Sequence, residues 1–158
     1  MKPVTPSQTI GPFWHPLAEP AFADLRRQLT GATITLTGLV TDGAGAPITD
    51  ACIELWQPPG WGRCATGPRG EYAFTTVRPA VGYAAVAVLA RGLIKPLWTR
   101  VYFVDPDAGT GAGPDDALLA SLPPARRRTL LARLDGDAWR FDIRLQGDAD
   151  TETVFLAL

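Results

Sequence analysis

A two-residue alternation of apolar side chains constrains the fold of this chain more than any other feature. Ile34, Leu36, Gly38 and Val40 alternate with threonines at 33, 35, 37 and 41, although Leu39 breaks the polar side, and an alternating pattern resumes over 52–57. Successive side chains of a strand point to opposite faces, so both stretches are predicted as half-buried β-strands. Between them, 42–47 contains two glycines and a proline and predicts a turn. Because two strands are only marginally stable alone, we expect a hairpin around which further strands complete a sheet.

Further strands are predicted wherever alternation or a short apolar run returns. The chain has 16 glycines and 15 prolines, which favour many turns, and 58–72 is predicted as a loop throughout. Its 158 residues are expected to form one domain, 1–158. Roughly seven short strands of this spacing predict an all-β fold, a β-sandwich with prealbumin-like or immunoglobulin-like topology. The additional predicted strands are 72–77, 81–89, 98–104, 139–145 and 153–158.

The first twenty residues are predicted to form an extended arm. Prolines at positions 3, 6, 12 and 16 exclude a continuous helix. The arm is nevertheless too apolar to be a solvated tail, so we expect it to lie on a surface, either its own or that of a partner. Its apolar side chains include Ile10, Phe13, Trp14 and Leu17.

Three short helices are candidates in an otherwise β-rich chain. Helical spacing of apolar residues predicts one over 21–29. Asp115 or Asp116 could cap a one-turn helix through residues 118 and 119. Pro123 and Pro124 suit the first turn of another helix, which the leucines at 130, 131 and 134 would continue.

The charge and the termini exclude several classes of partner. The net charge of −1 gives no reason to expect a nucleic acid or an anionic membrane. The N-terminus has no apolar signal region, and the longest apolar run, 81–90, is too short to span a bilayer. Two cysteines do not predict a disulfide framework, so a cytoplasmic protein is expected.

No residue pattern predicts a catalytic or metal site within this chain. His15 is the only histidine, and the cysteines lack the spacing of a zinc site. Neither Ser7 nor Ser121 lies in a nucleophile elbow. Cys52 is interpreted as a packing residue, and loop exposure is a sufficient account of Cys64.

Arginines offer two further features. The run 126–128 is interpreted as a solvated helix face or a salt-bridged subunit contact, because no wider basic surface accompanies it. Arg91 ends the most apolar predicted strand. It is either a surface arginine or a fork directed at a carboxylate in a half-buried cleft, and the residue pattern leaves both open.

Two segments resemble the intradiol ring-cleavage dioxygenases, and four later segments are similar to the alpha subunits of the protocatechuate 3,4-dioxygenases within that family. The first two are TPSQTIGPFW (5–14) and GLVTDGAGAPITDACIELWQ (38–57). The later four are LARGLIKPLWTRVYF (89–103), RRRTLLA (126–132), RFDIRLQG (140–147) and TETVFL (151–156).

The resemblance implies a hetero-oligomer of alpha and beta chains. The beta subunit would hold Fe(III) through two tyrosines and two histidines, and would cleave protocatechuate (3,4-dihydroxybenzoate) with O2 to 3-carboxy-cis,cis-muconate. By this resemblance Tyr83 and Ala85 occupy the positions of the two histidines. The chain is therefore expected to bind no metal, to contribute no catalytic residue and to be inactive alone.

The same resemblance implies the residues with which an alpha subunit meets the substrate. Thr9, Gly11 and Pro12 would line the partner's substrate pocket, and Arg91 would face the substrate carboxylate. The segment 56–70 is shorter than in the family, which affects the shape of the pocket. Two alternatives stay open: a non-catalytic β-sandwich interaction module, and a subunit of a dioxygenase for another catechol.

Overall fold

The computed structural model describes residues 4–11, 14, 18–104 and 116–157, and nearly all of its regular structure is β. Two five-residue α-helices, α1 (Ala117–Ser121) and α2 (Pro124–Arg128), and a 3-10 turn at Pro20–Ala23 accompany the strands. The nine strands within these residues are β1 Thr33–Thr41, β2 Cys52–Gln57, β3 Gly60–Ala65, β4 Glu71–Val77, β5 Tyr83–Leu89, β6 Leu97–Phe103, β7 Leu131–Asp135, β8 Ala138–Arg140 and β9 Ile143–Arg144.

The strands form two layers around the main apolar core, and a smaller buried cluster lies at Tyr102, Leu119, Leu130 and Val154. The strand order is β3-β2-β5-β6-β7-β8-β1-β4, with β9 paired to β1. Strand β7 joins the layers, because it runs parallel to β6 and antiparallel to β8. Leu36 and Phe74 from one layer pack in the same core as Val86 and Phe103 from the other. The predicted all-β sandwich is confirmed.

The predicted hairpin between β1 and β2 is wrong, although both strands exist. Strand β1 pairs with β4, β8 and β9, whereas β2 pairs with β3 and β5. Their apolar faces instead meet across the sandwich, since Leu36 and Ile53 belong to one core. The connection 42–51 crosses from one layer to the other, and Asp42 stabilises its turn by accepting hydrogen bonds from the amides of Ala44 and Ala46.

Strand β3 lies in the segment predicted as a loop. Its glycines follow from packing rather than from turn formation. A Cβ on Gly60 would come within 2.8 Å of Leu29, and one on Gly62 within 2.5 Å of Leu25. Strand β3 therefore needs small residues where these two leucines lie against it, a requirement that involves residues distant along the chain.

The short helices follow the predictions only in part. Asp116 caps α1 as predicted, since its side chain accepts hydrogen bonds from the amides of Leu118 and Leu119. The helix predicted over 21–29 is wrong beyond its first turn, because Leu25 is fully buried and its amide donates to Thr75 on β4. The third predicted helix ends at Arg128, and β7 follows it. Within the described ranges, no helix is long and apolar enough to cross a membrane.

Two later strand predictions also need correction. The alternation over 139–145 correctly predicts burial of Trp139, Phe141 and Ile143, but the segment is divided into β8 and β9. The strand predicted over 153–158 is reduced to a single bridge between Leu156 and Trp98, with residue 158 outside the described residues. Strand β5 begins two residues later than predicted and lies between β2 and β6, which explains its apolar composition.

Both cysteines are free and poorly placed for reaction. Burial raises the pKa of the Cys52 thiol to about 12 and also raises the pKa of Cys64.

Because the thiolate is the reactive form, we expect Cys52 in the native chain to react with a disulfide reagent about a thousandfold more slowly at about pH 8 than in denaturant. A Cys52→Ala variant assigns the slow phase, and equal rates in native and denatured protein would contradict the prediction.

Candidate functional site

A tight turn after β5 presents Arg91 at the protein surface. The amide of Leu93 donates to the carbonyl of Ala90 at 3.1 Å, which closes a four-residue turn. Gly92 has φ +92° at the third position, as a type II turn requires, and glycine adopts this conformation without steric cost. The Arg91 side chain is 69% exposed. The turn thus holds the arginine backbone in place and leaves its head group accessible.

The N-terminal arm reaches the same turn. Thr9 donates from Oγ1 to the carbonyl of Ala90 at 3.4 Å, and Trp14 donates from Nε1 to the carbonyl of Asp50 at 3.2 Å. Trp14 is 4% exposed, so it anchors the end of the arm in the protein. The Nε of Arg91 lies 3.1 Å from Oδ2 of Asp50. Thr9, Trp14 and Arg91 therefore converge on Asp50 and Ala90, and we call this surface the arm corner.

Gly11, which the resemblance also singled out, forms a bend in the arm. Gly11 has φ +74°, and a Cβ at this position would meet no atom within 4 Å. Glycine is therefore needed for the backbone bend of the arm and not for lack of space. Pro12 lies outside the described residues. Residues 4–9 of the arm are exposed.

Asp50 orients Arg91 but pairs with only one of the nitrogen atoms of its guanidinium group. The carboxylate of Asp50 is paired with Nε of Arg91, while neither Nη atom has a hydrogen-bond partner among the described residues. An exposed ion pair of this kind adds little to stability, since solvent screens it. A guanidinium with its outer donors open is, however, suited to a second carboxylate. The arm corner can therefore receive an anionic group.

A second group of side chains lies on one face of the sheet formed by β3, β2, β5 and β6. Trp61, Trp56, Ala85 and Arg100 occupy directly opposite positions on these four strands. Side chains at opposite positions share a face, so the small Ala85 leaves a gap between an indole and a guanidinium. The gap opens into a pocket of about 480 Å³ that Tyr83 also lines. We call it the Ala85 pocket.

Arg100 is held firmly at the edge of the Ala85 pocket. Its guanidinium carbon lies 4.2 Å from the centre of the Tyr83 ring. Its Nη1 donates to the hydroxyl of Tyr102 at 3.2 Å and to Oδ2 of Asp116 at 3.3 Å. Tyr102 in turn donates to Oδ1 of Asp116 at 3.0 Å. Burial, together with the hydrogen bond to Asp116, raises the pKa of Tyr102 to about 12, so this tyrosine stays neutral.

These residues do not fit the ferric ion that the family resemblance implies for a catalytic chain. Ala85 has no donor atom, and the guanidinium of Arg100 covers the ring of Tyr83. The positive charge of Arg100, 4.2 Å from the Tyr83 ring, would repel a metal cation bound beside that ring. Among the described residues no three His, Cys, Asp or Glu side chains are grouped as metal ligands would be, and His15 lies outside that part of the chain.

Two other features have structural explanations. Arg126 and Arg127 are half-buried and donate to backbone carbonyls of the chain itself, so the basic run supports the fold. A wider groove of about 670 Å³ lies at the base of the arm. Its Tyr72 hydroxyl donates to a backbone carbonyl, and its arginines, Arg63 and Arg140, are paired with carboxylates.

Two residues of the arm corner were singled out in the sequence, and at the Ala85 pocket only Tyr83 and Ala85 were, as positions of absent metal ligands. The resemblance singled out Thr9 and Arg91, and the structure places them on one surface. Arg100 lies within the strand predicted over 98–104, and β6 confirms that strand. Nothing in the local pattern indicated that Ala85 would lie directly opposite this arginine, because the register between two strands is not a local property.

Comparison with known proteins gives relatives that match nearly the full length of the chain. No family model matches the chain. It is 32% identical to the protocatechuate 3,4-dioxygenase alpha chain of Burkholderia cepacia, over 96% of this chain and 95% of that one. It is also 32% identical to the alpha chain of Pseudomonas putida, with 94% of each chain covered. Identity to the beta chain of the Burkholderia cepacia enzyme is 25%, over 92% of this chain and 77% of that one.

A solved structure supports the same fold. The dioxygenase domain of a dioxygenase–carbohydrate-binding protein fusion from Streptomyces sp. SirexAA-E superimposes with a TM-score of 0.55. The match covers 91% of this chain and 99% of that domain, at 23% sequence identity. The two proteins therefore share the β-sandwich.

Proposed function

This chain belongs to the protocatechuate 3,4-dioxygenase alpha-chain family of intradiol dioxygenases, and from this premise we propose that it is the alpha subunit of an alpha–beta enzyme whose beta subunit carries the catalytic iron. The full-length identity of 32% to two alpha chains is the observation that carries the proposal. The proposed reaction is the O2-dependent intradiol cleavage of 3,4-dihydroxybenzoate to 3-carboxy-cis,cis-muconate.

The ferric ion of the beta subunit would bind the catecholate and activate it toward dioxygen. The role proposed for this chain is to bind and orient the other end of the substrate. Arg91 would pair with the carboxylate through the Nη donors that Asp50 leaves open. Thr9, Gly11 and Pro12 would form a wall of low bulk beside the aromatic ring, and they would exclude water from it.

The exposure of the arm supports this role. Residues 4–9 are exposed, whereas Trp14 is buried and donates a hydrogen bond to Asp50. An exposed segment with a buried anchor can be covered by a second subunit without unfolding the first. The same segment lies beside Arg91 through the contact of Thr9 with Ala90, so one partner surface could cover both.

Replacement of Arg91 tests the proposed function in the assembled enzyme. In the alpha–beta complex, we expect Arg91→Ala to raise KM for 3,4-dihydroxybenzoate about tenfold or more, since a charged hydrogen bond worth about 1.5–3 kcal/mol is lost. KM for catechol, which lacks the carboxylate, should not change. Steady-state oxygen uptake with both substrates measures the two values.

The matched control is Arg69→Ala, since Arg69 is another exposed arginine and is paired with Glu71. This variant should leave both KM values as in the wild type. An unchanged KM for 3,4-dihydroxybenzoate in Arg91→Ala would return Arg91 to the role of a surface residue. A complex that cleaves only catechols without a carboxylate would instead favour a dioxygenase for another catechol.

We place this function in the cytoplasm. Cys52 and Cys64 are both free thiols, and Cys52 is buried. Unpaired cysteines in the folded chain suit a reducing compartment.

A further inference from the structure

We propose that the Ala85 pocket binds a small planar aromatic carboxylate without a metal ion, with Arg100 as the anion-binding residue. This proposal does not depend on the proposed function, because it concerns a pocket formed entirely by this chain. Three properties of the pocket support it: its shape, its single charge and the orientation of that charge.

The shape of the pocket suits a flat ring. Ala85 forms its floor, with Trp56 and Arg100 at directly opposite positions on the neighbouring strands. Trp56 is 42% exposed, so part of its indole is available to a ligand. The volume of about 480 Å³ falls in the range of small-molecule sites, about 300–1,000 Å³. The remaining walls are largely apolar and are formed by Pro58, Pro79, Ala80, Val81 and Tyr83.

The charge of the pocket selects an anion. Arg100 is the only charged side chain among the described lining residues, and its ion-pair partner, Asp116, lies outside that lining. The other strongly polar lining residue, Gln57, is already engaged, since it donates to the carbonyl of Val77 and accepts from Thr76. A carboxylate would accept charge-assisted hydrogen bonds from Arg100, which are roughly twice as strong as the hydrogen bond that a neutral carbonyl would accept. The pocket therefore favours an anionic ligand over a neutral one of the same shape.

The orientation of Arg100 is fixed before any ligand arrives. Stacking on Tyr83 holds the plane of the guanidinium, and the hydrogen bonds of Nη1 to Tyr102 and Asp116 hold one of its edges. Its Nε and Nη2 have no hydrogen-bond partner among the described residues. A guanidinium edge of this kind binds a carboxylate through two parallel hydrogen bonds. A carboxylate joined to an aromatic ring would thus meet the free edge while its ring lies over Ala85.

Binding of benzoate to the full chain tests the proposal, with benzamide as a neutral probe of the same shape. By isothermal titration calorimetry, we expect benzoate to bind with a Kd on the order of 1 mM or tighter, and benzamide to bind at least about tenfold more weakly. Ala85→Leu fills the pocket and should abolish binding of benzoate. Arg100→Gln should reduce the affinity for benzoate to that for benzamide.

Two control variants separate this pocket from other sites. Ala73→Leu makes the same change at an exposed alanine of β4 and should bind benzoate as the wild type does. Arg69→Ala removes an exposed arginine that lines neither site and should also leave the affinity unchanged. Far-ultraviolet circular dichroism checks that each variant folds. If Arg100→Gln does not fold, Ala85→Leu still tests the proposal.

Three results would overturn the proposal: no detectable binding of benzoate at about 10 mM, equal affinities for benzoate and benzamide, or wild-type affinity in Ala85→Leu. The measurement needs neither iron nor a beta subunit. Its failure would therefore leave the proposed function intact, and a failed assembly experiment would leave this proposal intact.

Discussion

Gly38→Ala is expected to destabilise the folded chain by more than about 4 kcal/mol, an unusually large effect for the addition of one methyl group. A Cβ on Gly38 would overlap the carbonyl oxygen of Phe141 and lie 2.7 Å from Cε1 of Tyr72. Neither neighbour can move freely. The Phe141 carbonyl accepts a hydrogen bond from the Tyr72 hydroxyl at 2.6 Å, and the Phe141 amide donates to Thr37 on β1.

Urea denaturation of Gly38→Ala and Gly45→Ala provides the comparison. Gly45 has φ +84°, and a Cβ at this position would meet no atom within 4 Å, so its replacement causes backbone strain without a clash. We expect Gly45→Ala to lower the free energy of unfolding by only about 1–2 kcal/mol. If the two variants unfold at similar urea concentrations, the close contact of β1 with Phe141 is not as tight as the structure indicates.

The contrast between β1 and β3 explains which strands the sequence could predict. Strand β1 has a local signal, because its alternating side chains record one buried and one exposed face. Strand β3 has no such signal, since Gly60 and Gly62 are small to accommodate Leu29 and Leu25. Glycines selected by a distant contact have the same appearance as glycines selected by a turn, so the loop prediction for 58–72 was wrong where β3 lies, at Gly60–Ala65.

Strand pairing was also beyond the local pattern. The turn residues of 42–47 fit a hairpin, yet the connection carries the chain to the opposite layer. The leucines after α2 fit a helix, but the carbonyl of Leu130 accepts a hydrogen bond from the amide of Tyr102, and β7 then continues beside β6. In both places a backbone partner distant in sequence decides between two conformations that the local residues allow.

The two sites differ in the same way. Family resemblance singled out Thr9 and Arg91, and the fold brings them to one surface through Ala90. The resemblance also singled out Ala85, as a position without an iron ligand, but it did not indicate the pocket, which depends on the register that places Ala85 between Trp56 and Arg100. Ala85 has no donor atom and offers no chemistry of its own. Its significance here is the space that it leaves.

The largest functional effect is expected from assembly with a beta subunit. In the family, the iron ligands are two tyrosines and two histidines, and this chain has one histidine and an alanine at one of the implied ligand positions. We therefore expect the chain purified alone to hold no stoichiometric iron and to show no oxygen uptake with 3,4-dihydroxybenzoate. Co-expression with a beta subunit should give a complex that holds iron and consumes oxygen.

Iron content and oxygen uptake of the lone chain and of the co-expressed pair, measured on the same preparations, test this division of roles most directly. We expect a colourless, inactive lone chain and a coloured, active pair, since tyrosinate bound to Fe(III) absorbs visible light. The chain should co-purify with the beta subunit through size-exclusion chromatography. Stoichiometric iron and catalytic oxygen uptake in the lone chain would contradict the account.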